Sequence, residues 1–346
     1  MRFIFLLLGV LSSFAAYSQD VHFSHIHASP TYLNPAMTGM IHDGMARITV
    51  NSKSQWNTVT NGYKTGAAAA DMKVYGNKGN VVGVGLNLMA DQAGDLDFTT
   101  IKTGLALSVL RSLDYRDENV ISIGAEANYV TTRFDISKMV GFEEEPLIAL
   151  GIPNQSKYFT YSVGLGWFYN PDKNRSMYVG ASLSHFNQPD VTFTKGLAQE
   201  GLLDTDFSAF NLYSKIVFHA GGSFKIGRNF KLLPSAIFTD QGPHQEILFG
   251  SFLKYANKAS GPDPISFYVG AWLRGYLEGD VQGSDAVAVS IRADVRKTFF
   301  TLSYDFNIST WKRASRGAGG VELSVIHILD LDKHSRKIED VYCPGL

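Results

Sequence analysis

Three histidines near the amino terminus have the residue type and the spacing of a small metal site. His22, His25 and His27 fall within six residues, and imidazole nitrogens are common ligands of zinc and copper. Histidines scattered along an exposed amino-terminal segment give the same pattern without binding a metal. That second interpretation is preferred, so the sequence predicts no metal site.

Two acidic segments could attract cations or basic partners. The segment from Asp91 to Asp97 places three carboxylates around Gly94, but it lacks the full spacing of a calcium-binding loop. The run Glu143–Glu145 could receive a basic partner through charge complementarity. Hydrated surface loops commonly have this composition, and both segments are predicted to be such loops.

The sequence contains no recognisable catalytic motif. It lacks the G-x-S-x-G, H-E-x-x-H and G-x-x-x-x-G-K-[ST] patterns of nucleophilic, zinc-dependent and phosphate-binding sites. A hydrolase needs a nucleophile beside a base, and Ser184 with His185 is the adjacent pair considered for that role. Cys343 is the only cysteine, so no internal disulfide can form. We predict no enzymatic activity and no cofactor.

The first residues have the features of an export signal. Arg2 precedes the apolar stretch from Phe3 to Leu11, and Ala16-Tyr17-Ser18 has the small-x-small pattern of a cleavage site. Cleavage is therefore expected between Ser18 and Gln19. The residue after the cleavage point is not a cysteine, so a lipid-anchored form is not expected.

The composition favours β-structure and argues against several classes of protein. After the signal, no stretch approaches the roughly 18 uninterrupted apolar residues that a membrane helix needs. The chain has 33 Gly, 16 Tyr and 23 Phe with only 18% charged residues, which is poor in helix formers and rich in strand formers. The net charge of −1 provides no basic surface for nucleic acid.

Apolar residues alternate with small or polar ones along much of the chain. In the segment 81–88 the two faces are Val82, Val84, Leu86 and Leu88 on one side and Gly83, Gly85 and Asn87 on the other. The segments 101–109, 121–129 and 161–169 repeat the pattern. A soluble β-sandwich also alternates, but its outer face is usually rich in Lys, Glu, Thr and Asp. Here the second face is mostly Gly, Ala and Ser, which suits the lumen of a membrane barrel better.

Counting such segments predicts an all-β fold, an antiparallel transmembrane β-barrel of about fourteen strands. The predicted strands are 44–56, 63–75, 81–91, 96–110, 118–130, 159–169, 175–185, 211–226, 230–239, 244–257, 264–276, 284–295, 297–308 and 318–328. If the amino terminus is periplasmic, tight periplasmic turns fall at 76–80, 170–174 and 227–229. The long connections 131–158 and 186–210 are then extracellular, as in outer-membrane barrels.

The alternation of outward and inward residues along the predicted strands places six charged side chains in the lumen. They are Lys102, Glu126, Arg274, Arg292, Asp305 and Glu322. Charges are tolerated there because they avoid lipid and can pair across the barrel. A network of ion pairs is the preferred interpretation, and the alternatives are an ion pathway or a seat for a plug.

The sequence divides into four parts. Residues 1–18 are the signal peptide, 19–43 an amino-terminal segment, 44–328 the barrel and 329–346 a short periplasmic tail. The amino-terminal segment contains Pro30 and the turn Asn34-Pro35-Ala36, so it is not expected to form a strand. We expect it to lie in the lumen as a plug, with a position at the periplasmic mouth as the alternative.

An ordered series of short motifs spans the mature chain. Its residues are Tyr32-Leu33-Asn34-Pro35, Gln55-Trp56, Asp91, Gly94, Asp135, Lys138, His185, Pro189, Tyr304-Asp305 and Glu322. In this order the motifs resemble the PorP/SprF family of outer-membrane proteins, which are associated with the type IX secretion system and gliding motility. The resemblance implies a barrel that binds the C-terminal region of a secreted, adhesin-like cargo and assists its export or surface anchoring. It also implies contacts with periplasmic components of the secretion system.

Three classes of function are compatible with an exported barrel. The preferred hypothesis is a non-enzymatic, cargo-binding protein of the bacterial outer membrane, surrounded by its lipid. The main alternative is a channel or a transporter of hydrophobic solutes, because fourteen strands can enclose a polar lumen. An outer-membrane hydrolase that uses Ser184 and His185 is the third.

Overall fold

A computed structural model describes most of the chain that follows the signal. The described residues are 20, 23–24, 29–42, 44–55, 62–77, 80–138, 154–172, 174–193, 211–256, 265–278, 281–309 and 319–330. Several predicted features lie outside these residues, namely Ser18, Gln19, His22, His25, His27, Trp56, Glu143–Glu145 and Cys343, together with the tail after residue 330.

Fourteen strands make up nearly all of the described secondary structure. They are β1 (Ala46–Gln55), β2 (Tyr63–Asn77), β3 (Asn80–Ala93), β4 (Phe98–Ser112), β5 (Asn119–Arg133), β6 (Gln155–Asp172), β7 (Arg175–Ser184), β8 (Lys215–Lys225), β9 (Phe230–Gln241), β10 (His244–Ala256), β11 (Ser266–Glu278), β12 (Val281–Val295), β13 (Thr298–Asn307) and β14 (Gly320–Leu329). A short helix, α1 (Pro30–Leu33), and a 3-10 turn at Pro35–Met37 precede them.

The strands form one closed antiparallel barrel. Each strand pairs with its neighbours in the chain, and β1 pairs with β14 from Ala46↔Leu329 to Gln55↔Gly320. Closure leaves no sheet edge, so the backbone groups of the strands are paired within the wall, as a bilayer requires. The predicted fold class and strand number are confirmed. Within the described residues, no helix is long and apolar enough to cross a membrane.

The predicted strand limits differ from the observed ones in a few places. Two of the predicted turns are shorter than expected, because Asn77 pairs with Asn80 and Asp172 pairs with Arg175 as members of the strands. The register shifts between Tyr169 and Asp172, which accommodates Pro171 in the wall. The prediction that β8 begins at residue 211 was wrong, because the chain at Asn211 makes only an isolated bridge to Asp190.

Side chains alternate between an exposed apolar outer face and a buried inner face. Leu105, Leu107 and Val109 are 54% to 67% exposed, whereas the intervening Ala106 and Ser108 are 1% and 2% exposed. The outer face therefore offers aliphatic side chains to lipid, and the inner face is largely small or polar.

The two ends of the barrel differ in their connections. We call the end that holds Ala46 and Leu329 the proximal end and the opposite one the distal end. The proximal turn at 296–297 is tight, and those at 113–118 and 226–229 are short. The distal connections at 134–154 and 185–214 are the longest between successive strands. Their placement at one end agrees with the predicted asymmetry between short turns and long loops.

Candidate functional site

Residues 29–42, which we call the inner segment, lie inside the barrel. Pro30 and Pro35 each occupy the first turn of a short helical element, where the missing N–H costs nothing. Ala36, Met37 and Ile41 are at most 2% exposed. The segment contacts the inward faces of β3 to β6, so it is part of the protein interior.

Asn34 fixes the middle of the inner segment to the wall. Its side-chain amide donates to the carbonyl oxygens of Leu165 and Ala181, at 2.9 and 3.2 Å, and lies 2.9 Å from Nε2 of His219. Its side-chain oxygen accepts from the backbone N–H of Ala36 at 2.9 Å, which starts the 3-10 turn. Asn34 is fully buried, and these bonds replace the water that it loses.

Glycines on the inner face make room for this close approach. A Cβ atom at Gly124 would overlap the backbone of Pro35 and Ala36, and one at Gly164 would overlap the Asn34 amide oxygen. A Cβ atom at Gly83 would overlap the carbonyl of Thr38. The small inward residues noted in the sequence are therefore the surface against which the inner segment packs.

An ion pair anchors the end of the inner segment to β1 and β2. Arg47 donates to both carboxylate oxygens of Asp71, at 2.9 and 2.8 Å, and also to the carbonyl oxygens of Met37 and Met40. The backbone N–H of Gly39 donates to Asp71 at 2.7 Å. Both charged side chains are buried, so each depends on the other for its stability.

The wall formed by β9 to β12 fills the lumen with its own side chains. Its buried cluster consists of Leu233, Leu248, Phe252, Tyr268, Trp272 and Ala288. Leu33 of the inner segment packs against this cluster, and Phe252 lies edge-on to Trp272 with ring centroids 4.5 Å apart. The inner segment and the aromatic cluster therefore occupy the two halves of the lumen together.

A second group of charges lies nearer the distal end, around Ser24. The Ser24 hydroxyl donates to Asp305 at 2.5 Å and accepts from Lys53 at 2.9 Å, while its backbone N–H donates to Glu322 at 2.8 Å. Arg274 lies 3.2 Å from Asp305 and 2.7 Å from Asp285. Three of the six predicted lumen charges, Arg274, Asp305 and Glu322, meet in this group.

Asp20 lies at the distal rim in a polar cluster. His185 Nε2 is 2.8 Å from its carboxylate, Lys215 Nζ is 3.6 Å away, and Gln241 accepts from its backbone N–H. Burial alone would raise the pKa of the Asp20 carboxyl, but the charges of His185 and Lys215 outweigh burial and hold the pKa well below its usual value. The carboxylate thus stabilises this cluster at neutral pH.

The distal loops are tied to one another, and we call residues 94–99, 134–138, 185–193 and 211–214 the distal platform. Lys138 forms an ion pair with Asp97, and the backbone N–H of Asp135 donates to the carbonyl of Leu96 at 2.9 Å. The ring of Phe193 stacks edge-on against Phe98 and Phe134, with centroids 6.2 and 5.2 Å apart. Contacts between different loops therefore give this surface a defined shape.

The structure distributes the remaining predicted residues along the wall. Glu126 accepts from Asn87, Arg292 pairs with Asp294, and Lys102 is half-buried in β4. The Tyr32 hydroxyl donates to the Leu88 carbonyl, and Gln55 ends β1. The other motif residues take these positions. Asp91 accepts from the Thr65 hydroxyl, and Gly94 lies in the distal turn with a φ of 65°. The Pro189 carbonyl accepts from the backbone N–H of Leu212, and the ring of Tyr304 lies edge-on to that of Phe306.

His185 does not act on its neighbour Ser184 in this arrangement. Its Nδ1 is 2.7 Å from the hydroxyl of Thr160, and its Nε2 contacts Asp20. Thr160 is fully buried and His185 is 3% exposed, so the geometry gives a substrate no access to either. Among the residues that the structure describes, no group of three His, Cys, Asp or Glu side chains could hold a metal ion.

Sequence reasoning missed Arg47, Asp71, Lys53 and His219. A usable signal was present in β1. Its polar residues alternate with other residues and so share one face of the strand, namely Arg47, Thr49, Asn51 and Lys53 against Ile48, Val50 and Ser52. Asp71 follows a run of four alanines, so the sequence does not show which face of the strand it lies on. Its partner depends on the register of β1 with β2, in which Arg47 faces Asp71.

Comparisons with known proteins found a matching family model and similar solved structures. The model of a family described as type IX secretion system membrane protein PorP/SprF matches residues 15–326. A Pseudomonas aeruginosa FadL homologue is similar in structure, with a TM-score of 0.50, 10% identity, and coverage of 87% of this chain and 94% of that one. The monoaromatic hydrocarbon channel CymD aligns with a TM-score of 0.49, 12% identity, and coverage of 90% and 95%. Among curated proteins, none matches the sequence.

We expect Asp71→Asn to destabilise the barrel by about 3 to 5 kcal/mol, because it leaves the buried Arg47 without a counter-charge. Urea unfolding in lipid vesicles, followed by tryptophan fluorescence, measures the change. The double variant Arg47→Met with Asp71→Leu removes both charges and should lose less than the single variant does. A single variant as stable as the unchanged protein would show that the pair is not coupled.

We expect Gly124→Ala to destabilise the barrel by about 1 to 3 kcal/mol, because its methyl group meets rigid backbone of the inner segment. The matched control is Gly66→Ala, since a Cβ atom at Gly66 has no other atom within 4 Å. The same unfolding measurement compares the two variants. Equal stabilities would mean that the inner segment does not press on the wall at Gly124.

Proposed function

Since the family model covers most of the chain, the protein belongs to the PorP/SprF family of type IX secretion system membrane proteins, and from that premise we propose that it is a docking protein. In this proposal the outer-membrane barrel binds the C-terminal region of a secreted, adhesin-like cargo and assists its export or surface anchoring. The distal platform faces the cell exterior, and the proximal turns with the tail 329–346 face periplasmic components of the secretion system.

The occupied lumen is the observation that supports docking best. The inner segment fills the half of the barrel next to β3–β6, and the aromatic cluster around Phe252 fills the half formed by β9–β12. A barrel filled in this way offers its loops at the two ends to a partner, and its interior offers little room for a solute. We accordingly place the function on the loops.

The distal platform has the properties of a binding surface. Inter-loop contacts hold it in shape, so a partner would bind it without first paying the entropy of ordering separate loops. Lys138 is exposed and pairs with Asp97, and Asp95 is exposed in the same loop as Asp97, so the surface offers both signs of charge. Tyr213 is 40% exposed, and aromatic and arginine side chains are enriched where proteins bind one another.

The proposal includes no enzymatic step. The one histidine in the platform that contacts both a hydroxyl and a carboxylate is His185, and its buried position supports a structural role. Its contact with Asp20 holds the start of the described chain against the end of β7. We therefore assign these residues to the support of the docking surface.

We expect Phe193→Ala to weaken cargo capture on the order of tenfold, because the variant removes the aromatic contact that joins three loops. The measurement is co-purification of secreted chains with the tagged barrel from outer membranes, followed by their identification. Tyr115→Ala, a fully exposed aromatic residue in a proximal turn, is the matched control and should capture cargo normally. Recovery of only lipid and general porins with the unchanged protein would refute the docking function.

We expect the purified barrel to show no large, steady conductance in planar lipid bilayers, because its lumen is occupied. The alternative function, a channel or a transporter of hydrophobic solutes, predicts transport that does not depend on cargo. Long-lived ohmic openings of the unchanged protein would count against docking and favour the channel. A porin of similar strand number, measured in the same membrane, is the positive control.

A further inference from the structure

The amino-terminal residues contact the barrel wall at different depths between its distal and proximal ends, and the depth depends on their position in the chain. Ser24 bonds to Glu322, which pairs with Lys53 two residues before the distal end of β1. Ser29 bonds to Asn51 in the middle of β1. Thr31 bonds to Asn87, which is also in the middle of its strand.

Later residues contact progressively more proximal parts of the wall. The carbonyls of Ala36 and Thr38 accept from Ser122 and Ser108, which lie near the proximal ends of β5 and β4. Met40 packs in a buried cluster with Val81, at the proximal start of β3. The chain then enters β1 at Ala46, at the proximal end itself.

The earliest described residue lies at the opposite rim. Asp20 contacts His185, Lys215 and Gln241, and these residues stand just after β7, at the start of β8 and at the end of β9. All three positions are distal. The contacts at Asp20, at Ser29 with Thr31, and at Met40 with Ala46 therefore lie at distal, middle and proximal depths in turn.

We propose that the chain threads the barrel from mouth to mouth, so that its exported amino-terminal end is displayed at the distal mouth among the long loops. A ten-residue strand spans about 33 Å, and the residues between Asp20 and Ala46 are ample for this distance even with a helical turn. The end of β14 lies at the proximal end. The chain on either side of the barrel therefore leaves it on opposite faces of the membrane.

This arrangement differs from the usual one for an even number of strands. An antiparallel barrel with an even strand count brings the start of its first strand and the end of its last strand to the same side. Here the inner segment carries the amino-terminal end back through the lumen to the other side.

Labelling of single cysteines tests the threading. One variant has a cysteine inserted directly after Gln19 and another has Asp330→Cys, both in a Cys343→Ser background. A membrane-impermeant maleimide is applied to intact cells and to permeabilised cells, and only the folded, heat-modifiable form is scored. We expect the amino-terminal cysteine to react in intact cells and the cysteine at 330 to react only after permeabilisation.

The comparison of the two sites decides the question. Opposite accessibility, in either orientation of the barrel, supports threading. Equal accessibility of both sites, whether in intact or only in permeabilised cells, places both ends on one side and overturns it. The unmodified Cys343→Ser protein is the control for background labelling.

A second experiment tests whether the displayed end belongs to the docking surface, and this part rests on the proposed function. The same cysteines are biotinylated in the purified, folded protein and loaded with streptavidin. We expect streptavidin at the amino-terminal end to reduce cargo capture on the order of tenfold, and streptavidin at position 330 to leave it unchanged. If streptavidin at the amino-terminal end left cargo capture undiminished, that end would be excluded from the docking surface. Absence of capture by the unloaded protein would refute docking itself, while threading is judged by the labelling alone.

Discussion

The buried ion pair of Arg47 and Asp71 joins the three parts of the structure that have to fit one another. It lies between β1 and β2, and its remaining hydrogen-bonding groups bind Met37, Gly39 and Met40 of the inner segment. A buried charge is tolerated only when it is paired and hydrogen-bonded. Because the inner segment supplies part of that hydrogen bonding, the barrel wall and the segment inside it stabilise each other. The wall is therefore complete only with the inner segment in place.

The same constraint explains why the lumen is filled in two different ways. Next to Gly83, Gly124 and Gly164 the wall has no side chains, and polar backbone of the inner segment occupies the space against serine hydroxyls and carbonyl groups. Along β9–β12 the wall has large aromatic residues, and Leu33 of the inner segment packs against them. Gly83, Gly124 and Gly164 thus face the backbone of the inner segment, whereas β9–β12 contribute large side chains of their own, so the wall is asymmetric.

The strands could be predicted because successive residues of a barrel strand face the lipid and the lumen in turn, which gives a strict alternation in the sequence. Leu105, Ala106 and Leu107 show it without ambiguity, and the predicted strand number was confirmed on that basis. Turn residues were a weaker guide, since Asn77 and Asn80 pair with each other where a longer turn was expected. The partners of the inward charges could not be predicted. Arg47 meets Asp71 through strand register, and Arg274 meets Asp305 through the position of Ser24, and neither is visible in the local sequence.

The strength of the inner contacts bears on how the protein can act. Residues 29–42 exchange at least eleven hydrogen bonds with the wall, through side chains such as Asn34, Ser108, Ser122 and Ser182. Each such bond contributes about 1 kcal/mol net, and this gain is opposed by the conformational entropy that the ordered segment has lost, about 1 to 2 kcal/mol for each residue. Withdrawal of the segment would also leave the buried Arg47 and Asp71 without the backbone groups that complete their hydrogen bonding, and buried charges tolerate such a loss poorly. An action that relies on spontaneous opening is therefore disfavoured, and the surfaces at the two mouths remain as the places where a partner can be recognised.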